Sequence, residues 1–220
     1  MTLFWARWGK IDPVAGRWAL VVPVKDTAVG KSRLAPLGAQ RPALARAMAL
    51  DTLEAVVGSP LVARVVVVTS DGALADAVLS EVSTDVEVVP DPGAGLRAAV
   101  LAGAGVAADS GLHLAVVTAD LPGMRPEDLD AALTEADGYE MSMVADADGV
   151  GTTLLAVTDP TTLDPRFGER SLDAHRAAGA ESLPAALGLR RDVDLPVHLD
   201  ELRALLGPRT AAVVARLAIG

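Results

Sequence analysis

Three carboxylates in this chain have the type and setting to hold a divalent cation against a polyphosphate. Asp120 ends the apolar run of "LHLAVVTADLPG", and Pro122 behind it restrains the turn. A carboxylate at the mouth of a hydrophobic element costs free energy unless it meets a cation, and magnesium bridging phosphate oxygens is one such cation. Asp192 and Asp194 stand two apart in "RRDVDLP". In extended chain that spacing puts both side chains on one face and Val193 on the other, so the pair can meet Asp120 in space. Plainer roles stay open at this point. Asp120 can cap a helix or close a turn, and Asp192 and Asp194 can be a solvated strand end neutralised by Arg190 and Arg191.

The complementary charge lies near the other end of the chain, where "VKDTAVGKSRLAP" carries Lys25, Lys31 and Arg33. Lysine offers phosphate a mobile point charge and arginine a fixed two-pronged grip. Gly30 and Ser32 beside them leave backbone N–H groups free to join a cradle. The stretch is not an ATPase phosphate loop, because the glycine required five residues before Gly30 is Lys25. Nor is there a dinucleotide fingerprint: "GAGLRAAV" has two glycines before a helix and lacks the third. These gaps argue against hydride transfer and ordinary ATP hydrolysis. Two further stretches can contact a small acid. "DGVGTTLLAV" sets Gly149 and Gly151 beside Thr152 and Thr153, and "DPRFGERSLDAH" offers Arg166, Gly168, Arg170, Ser171 and His175. Glycine permits close backbone approach and hydroxyls donate to an acid's oxygens, although a turn entering a strand and a serine cap on a helix explain the same residues. His175 reads as a helix residue satisfied by a neighbour, since no serine nucleophile motif accompanies it.

Positioning these groups requires alternating strands and helices. Residues 18–24 read as a first strand, with Pro23 near its exit. "RPALARAMALDTLEAVV" has apolar positions three and four apart and Pro42 in its first turn, so it reads as a helix. Residues 62–69, "VARVVVVT", are too uniformly apolar for a sheet wet on one side and predict a central parallel strand. A short helix over "DGALADAVLS", a strand at "VEVV" and a helix at "GLRAAVLAGAGVAA" follow, and "GLHLAVVT" repeats the buried-strand signature. Residues 126–137 return to helix, while 141–145 and "GTTLLAV" are strands. The pattern implies an α/β fold with a mostly parallel central sheet and helices on both faces, its functional loops at the carboxyl ends of the strands. The chain is expected to form one domain over 1–220, with 1–17 irregular and 160–190 a substrate-side insertion rather than a sheet crossover. A helix near Pro196 and a closing helix over "PRTAAVVARLA" complete the reading.

Composition narrows the partners. The formal net charge is -10, yet residues 1–50 hold eight Lys/Arg against two Asp/Glu. An acidic body repels nucleic acid, whose binding rests on many phosphate contacts, whereas a local positive site suits a small anion. With no cysteine there is no disulfide, thiolate zinc site or cysteine nucleophile. The apolar runs are too short to cross a bilayer and no secretion signal is evident, so a cytoplasmic protein without membrane partner is expected.

Taken together and in order, "VPVKDTAVGKSRLAP", "TADLPG", "GVGTTLLA", "DPRFGERSLDAH" and "DVDLPVHL" resemble the CofC/FbiD guanylyltransferases of coenzyme F-420 biosynthesis, across roughly residues 18–206. The resemblance implies a Rossmann-like nucleotidyltransferase fold and transfer of GMP from GTP to the phosphate of a three-carbon acid, with release of pyrophosphate. The implied acceptor is phosphoenolpyruvate or 2-phospho-L-lactate, and the product serves the enzyme acting on the deazaflavin precursor. By motif, Lys25, Lys31 and Arg33 would meet the GTP phosphates, Lys31 as a catalytic cation. Asp120 and Asp192 would hold Mg2+, with Asp194 in support, and Thr152, Gly168 and Ser171 would surround the acceptor. The chain departs from the family pattern at Arg97, Leu195 and His198. A homodimer through the apolar tail helix is a further expectation. Competing readings are a nucleotidyltransferase with another nucleotide or acceptor, and a non-catalytic nucleotide-binding regulator.

Overall fold

The computed structural model describes residues 17–27, 34, 38–83, 85–108 and 111–217. Strand β1 (Trp18–Pro23) is buried at all six positions and is an interior strand, third from one edge, of a seven-stranded sheet. It pairs in parallel with β2 (Val62–Thr69) on one side and with β4 (His113–Val117) on the other. Strand β3 (Glu87–Pro90) extends the sheet beyond β2, again in parallel.

Burial on both faces explains the valine-rich strands. Val65 and Val67 of β2 pack with Leu20 and Val22 of β1 beneath helices α1 (Arg41–Val57) and α4 (Pro126–Ala136). Val66 and Val68 join Ala19 and Val21 on the opposite face, under helix α3 (Leu96–Ala107). Each such side chain contributes roughly 1.5–3 kcal/mol when fully buried. Helix α3 lies against the strands at Gly103, where a Cβ would fall 2.5 Å from Val21 Cγ1 and 2.8 Å from Val68 Cγ2. Helix α2 (Gly72–Ala77) is capped by Asp71 and runs into a π-helical turn at Val78–Val82.

The sheet is mostly parallel, as expected, and is made mixed by one antiparallel strand. Strand β6 (Thr152–Val157) inserts antiparallel between β4 and β5 (Met141–Ala145), giving the order β3-β2-β1-β4-β6-β5-β7. The connection between β5 and β6 has no room for a crossover helix, so the two strands form a hairpin, which is antiparallel by construction. Asp146 closes it, accepting from Val150 N–H at 2.8 Å and Gly151 N–H at 2.6 Å. Within the stretch expected to be an insertion, helix α5 (Ser171–Ala177) is followed by the two-residue edge strand β7 (Glu181–Ser182), which pairs in parallel with Ser142 and Met143 of β5.

Three short helices close the fold: α6 (Leu187–Arg190), α7 (Pro196–Glu201) and α8 (Pro208–Leu217). Helix α8 docks on α1 through Asp51, which accepts from the N–H groups of Arg209 (3.2 Å) and Thr210 (2.8 Å). Just ahead of it, Gly207 N–H donates to the Pro122 carbonyl at 2.7 Å. Among the described residues no helix is long and apolar enough to cross a membrane.

Candidate active site

Strand order reverses between β1 and β4, so the loops leaving their carboxyl ends part and open a crevice, the usual ligand position in open α/β sheets. A cleft of about 460 Å³ lies there. Its walls come from Pro23–Thr27 after β1, Thr118–Asp120 after β4, Ala45, Met48 and Ala49 of α1, Leu96 of α3, and Asp194. The volume falls in the range of small-molecule sites, about 300–1,000 Å³.

Lys25 stands exposed on the rim of this cleft. Two residues on, Thr27 turns inward and donates through both its backbone N–H (3.3 Å) and its hydroxyl to the Asp71 carboxylate that caps α2. Burial pushes the Asp71 carboxyl up, but bonds from Thr27 and Leu74 outweigh it and hold the group below the ordinary carboxylate range. The exit of β1 is thereby tied to the neighbouring loop. Lys31 and Arg33 lie outside the described residues.

The acidic residues converge. Asp120, Asp192 and Asp194, each half-buried, offer carboxylate oxygens that all lie within 4.8 Å of one another. A set of three carboxylates suits a hard, oxygen-seeking cation and not a soft metal. Several bonds hold the two segments together. Val193 N–H donates to the Asp120 carbonyl at 3.0 Å, and Val193 itself is fully buried, as the alternation of side chains across extended chain requires. His198 of α7 reaches back under the same stretch, its Nδ1 lying 3.0 Å from the Asp192 carbonyl and 3.2 Å from Asp194 N–H. One nitrogen cannot donate and accept at once, so either tautomer clips the segment at one of these points. Arg191 pairs with Asp148 and Glu201, both at 2.8 Å, while Arg190 donates to the carbonyls of Ala145 and Asp146. These arginines thus brace the acidic segment against the β5–β6 hairpin and α7.

The expected acceptor residues form a second group. Thr152 is buried at the start of β6, beside the end of β4, where Thr118 N–H donates to the Thr153 carbonyl at 3.0 Å. Its hydroxyl lies 2.9 Å from His175 Nδ1, and Arg166 N–H donates to His175 Nε2 at 2.8 Å. The second bond requires Nε2 to be bare, so the ring proton sits on Nδ1 and goes to Thr152 Oγ1. The Thr152 hydroxyl therefore keeps its own proton for another acceptor. Gly168 is exposed with φ 144°, in the region that favours glycine. Ser171 is buried, but it is not the cap anticipated from sequence. Arg170 takes the N-cap position in a left-handed conformation (φ 56°), and Ser171 is the first helical residue. Arg97 donates to Asp164 and to the Pro165 carbonyl, both at 2.7 Å, and so steadies the segment leading to Gly168.

Burial pushes the His175 imidazole down to about 4, with the Asp164 charge opposing and the Arg166 charge assisting. Between about pH 4 and the ordinary histidine range near 6.5 the unfolded chain binds the extra proton and the folded one does not. Stability from this group is therefore present at neutral pH and lost as pH falls through that window, at up to about 1.4 kcal/mol per pH unit. Denaturant unfolding at pH 7 and pH 5 should show the loss, and His175→Gln should reduce it. An equal pH dependence in the variant would refute the assignment.

Against this geometry, the family model described as "Guanylyl transferase CofC like" matches residues 18–182. The chain belongs to this family. The CofC-like match contains Lys25, Asp120, Thr152, Gly168 and Ser171, and stops before Asp192 and Asp194, which the fold brings back to Asp120. A protein of Thermomonospora curvata named phosphoenolpyruvate guanylyltransferase is 46% identical over 207 residues, covering 91% of this chain and 90% of its own. A Salinispora arenicola protein of the same name is 47% identical over 204 residues, covering 88% and 92%. The CofC-like fold also resembles a solved nucleotidyl transferase from Methanothermobacter thermautotroptrophicus (TM-score 0.62, 23% identity, covering 86% of this chain and 96% of that one).

Sequence reading missed Arg191 and His198 as braces of the acidic segment. His198 stood out in the sequence as a departure from the CofC-like pattern, whereas in the fold it secures the acidic segment.

Proposed function

We propose that this protein transfers GMP from GTP to the phosphate of phosphoenolpyruvate, releasing pyrophosphate, as a step of coenzyme F-420 biosynthesis. 2-Phospho-L-lactate is the alternative acceptor, and the product passes to the enzyme that acts on the deazaflavin precursor. The observation that carries this reading is the carboxylate triad at a nucleotide-sized cleft, in a chain whose family relatives bear the guanylyltransferase name. In the reaction an acceptor phosphate oxygen bonds to the α-phosphorus as its bond to the bridging oxygen of the β-phosphate breaks. No covalent enzyme intermediate is needed, because the attacking phosphate is ionised at neutral pH.

The work of the protein is positioning and charge compensation. Asp120 and Asp192, supported by Asp194, hold Mg2+, which when bound draws electron density from the α-phosphate. Lys25 at the rim meets the nucleotide phosphates, and Lys31 and Arg33 share that role, because two anions cannot approach without added positive charge. The free proton of the Thr152 hydroxyl, the bare backbone of Gly168 and the hydroxyl of Ser171 receive the acceptor's oxygens. The chain works as a single domain in the cytoplasm, where GTP and phosphorylated three-carbon acids are made.

The test is pyrophosphate release by the pure protein with Mg2+ and GTP, offering phosphoenolpyruvate, 2-phospho-L-lactate and 3-phosphoglycerate separately. Release is expected with phosphoenolpyruvate and not when CTP or ATP replaces GTP. GTP binding without release in the presence of any acceptor would instead favour a regulatory protein.

A further inference from the structure

The peptide group that follows Asp120 is gripped from both sides. Its carbonyl, that of Asp120, accepts from Val193 N–H at 3.0 Å, between the other two carboxylates of the triad. Its N–H, that of Leu121, donates to the hydroxyl of Thr52 at 3.1 Å. Thr52 lies in the middle of α1, 69 residues away in sequence, and is fully buried. Its own proton goes to the Met48 carbonyl one turn back (2.9 Å) and leans toward the Ala119 carbonyl (3.3 Å). The hydroxyl thus touches the backbone on each side of Asp120 without reaching the carboxylate.

We infer that Thr52 is a positioning residue for the metal centre, fixing the backbone of Asp120 so that its carboxylate meets those of Asp192 and Asp194. The inference rests on reading the triad as a metal site. A buried threonine in mid-helix has a simpler use, the bond to the carbonyl four residues back, but that bond leaves both oxygen lone pairs free and gives no reason for an N–H from a distant loop to arrive. Leu121 N–H has gained a partner in a place closed to water, and without it the peptide beside the carboxylate is held on one side only, by Val193 N–H at the Asp120 carbonyl. Outer partners that orient metal ligands commonly change metal affinity by about 10–100-fold when removed.

The experiment uses Mn2+ as the probe, with α,β-methylene-GTP present so that no turnover is needed. Free Mn2+ is followed by electron paramagnetic resonance for wild type, Thr52→Val, Thr52→Ser and Asp120→Asn. Thr52→Val keeps the shape and loses the hydroxyl, and should weaken Mn2+ binding by about tenfold. Thr52→Ser restores the oxygen and should return affinity to about that of wild type. A Thr52→Val protein that binds Mn2+ as wild type does, while Asp120→Asn does not, overturns the role of Thr52 alone. If Asp120→Asn also binds normally, the metal reading falls as well. Amide exchange in the wild type provides a check that needs no variant. Leu121 N–H should exchange slowly, and fast exchange would show that the Thr52 bond is not made.

Discussion

Replacing Asp120 with Asn should cut pyrophosphate release by about 10³-fold or more. The substitution keeps the size of the side chain and its place after β4 and removes the negative charge that faces Asp192 and Asp194. Loss of a single neutral donor aimed at developing charge already costs about 10²–10³ in rate. Loss of a metal-binding charge removes both the ordering of the nucleotide phosphates and the compensation of their repulsion, so the effect should be larger and should fall on kcat. Stability should move the other way or stay unchanged, because the variant relieves repulsion among three clustered carboxylates. Steady-state rates at saturating Mg2+, with thermal melting of the metal-free protein, check both halves. Near-normal turnover in the folded variant would remove Asp120 from the chemistry.

Gly188→Ala should lower stability and activity together. A Cβ at this position would fall 2.2 Å from the Gly123 carbonyl oxygen and 2.9 Å from Asp128 Oδ2. The first contact is with backbone, in the turn that follows Asp120, so relief requires α6 or that turn to move. Overpacking of this kind costs about 1–3 kcal/mol, and about 2–4 °C of Tm per kcal/mol is expected for a chain of this size. Moving α6 also strains the arginines that brace the acidic segment, since Arg190 belongs to that helix. Gly105→Ala is the control. Nothing lies within 4 Å of its Cβ, and the change should hold or raise Tm with activity intact. Equal behaviour of the two variants would show that the contact between α6 and the turn is slack.

Most of this architecture was open to reading in the chain. Uniform valine in "VARVVVVT" gave away a strand covered on both faces, and Pro42 marked the first turn of α1. The distant carboxylates were paired from strand-end logic, because Asp120 follows a buried strand and Asp192 and Asp194 share a face. Strand direction was harder, since periodicity reports which face is buried and is blind to polarity. The short link between β5 and β6 held that information, and it shows how the sheet becomes mixed. A cap at Ser171 was an open alternative by residue type, whereas the left-handed turn at Arg170 puts the boundary of α5 one residue earlier. Thr52 and His198 escaped because their partners are backbone groups brought close only by the fold, and no spacing in the chain encodes such contacts.

Helix α8 is stitched at its start to the Asp51 carboxylate of α1 and, through Gly207 just ahead of it, to the Pro122 carbonyl two residues after Asp120. A growing polypeptide can therefore assemble its whole sheet, whose last strand ends at Ser182, before these two bonds form. Proteins cut short ahead of Gly207 would keep the grips of Thr52 and Val193 on the Asp120 peptide and lose the one on the Pro122 carbonyl behind it.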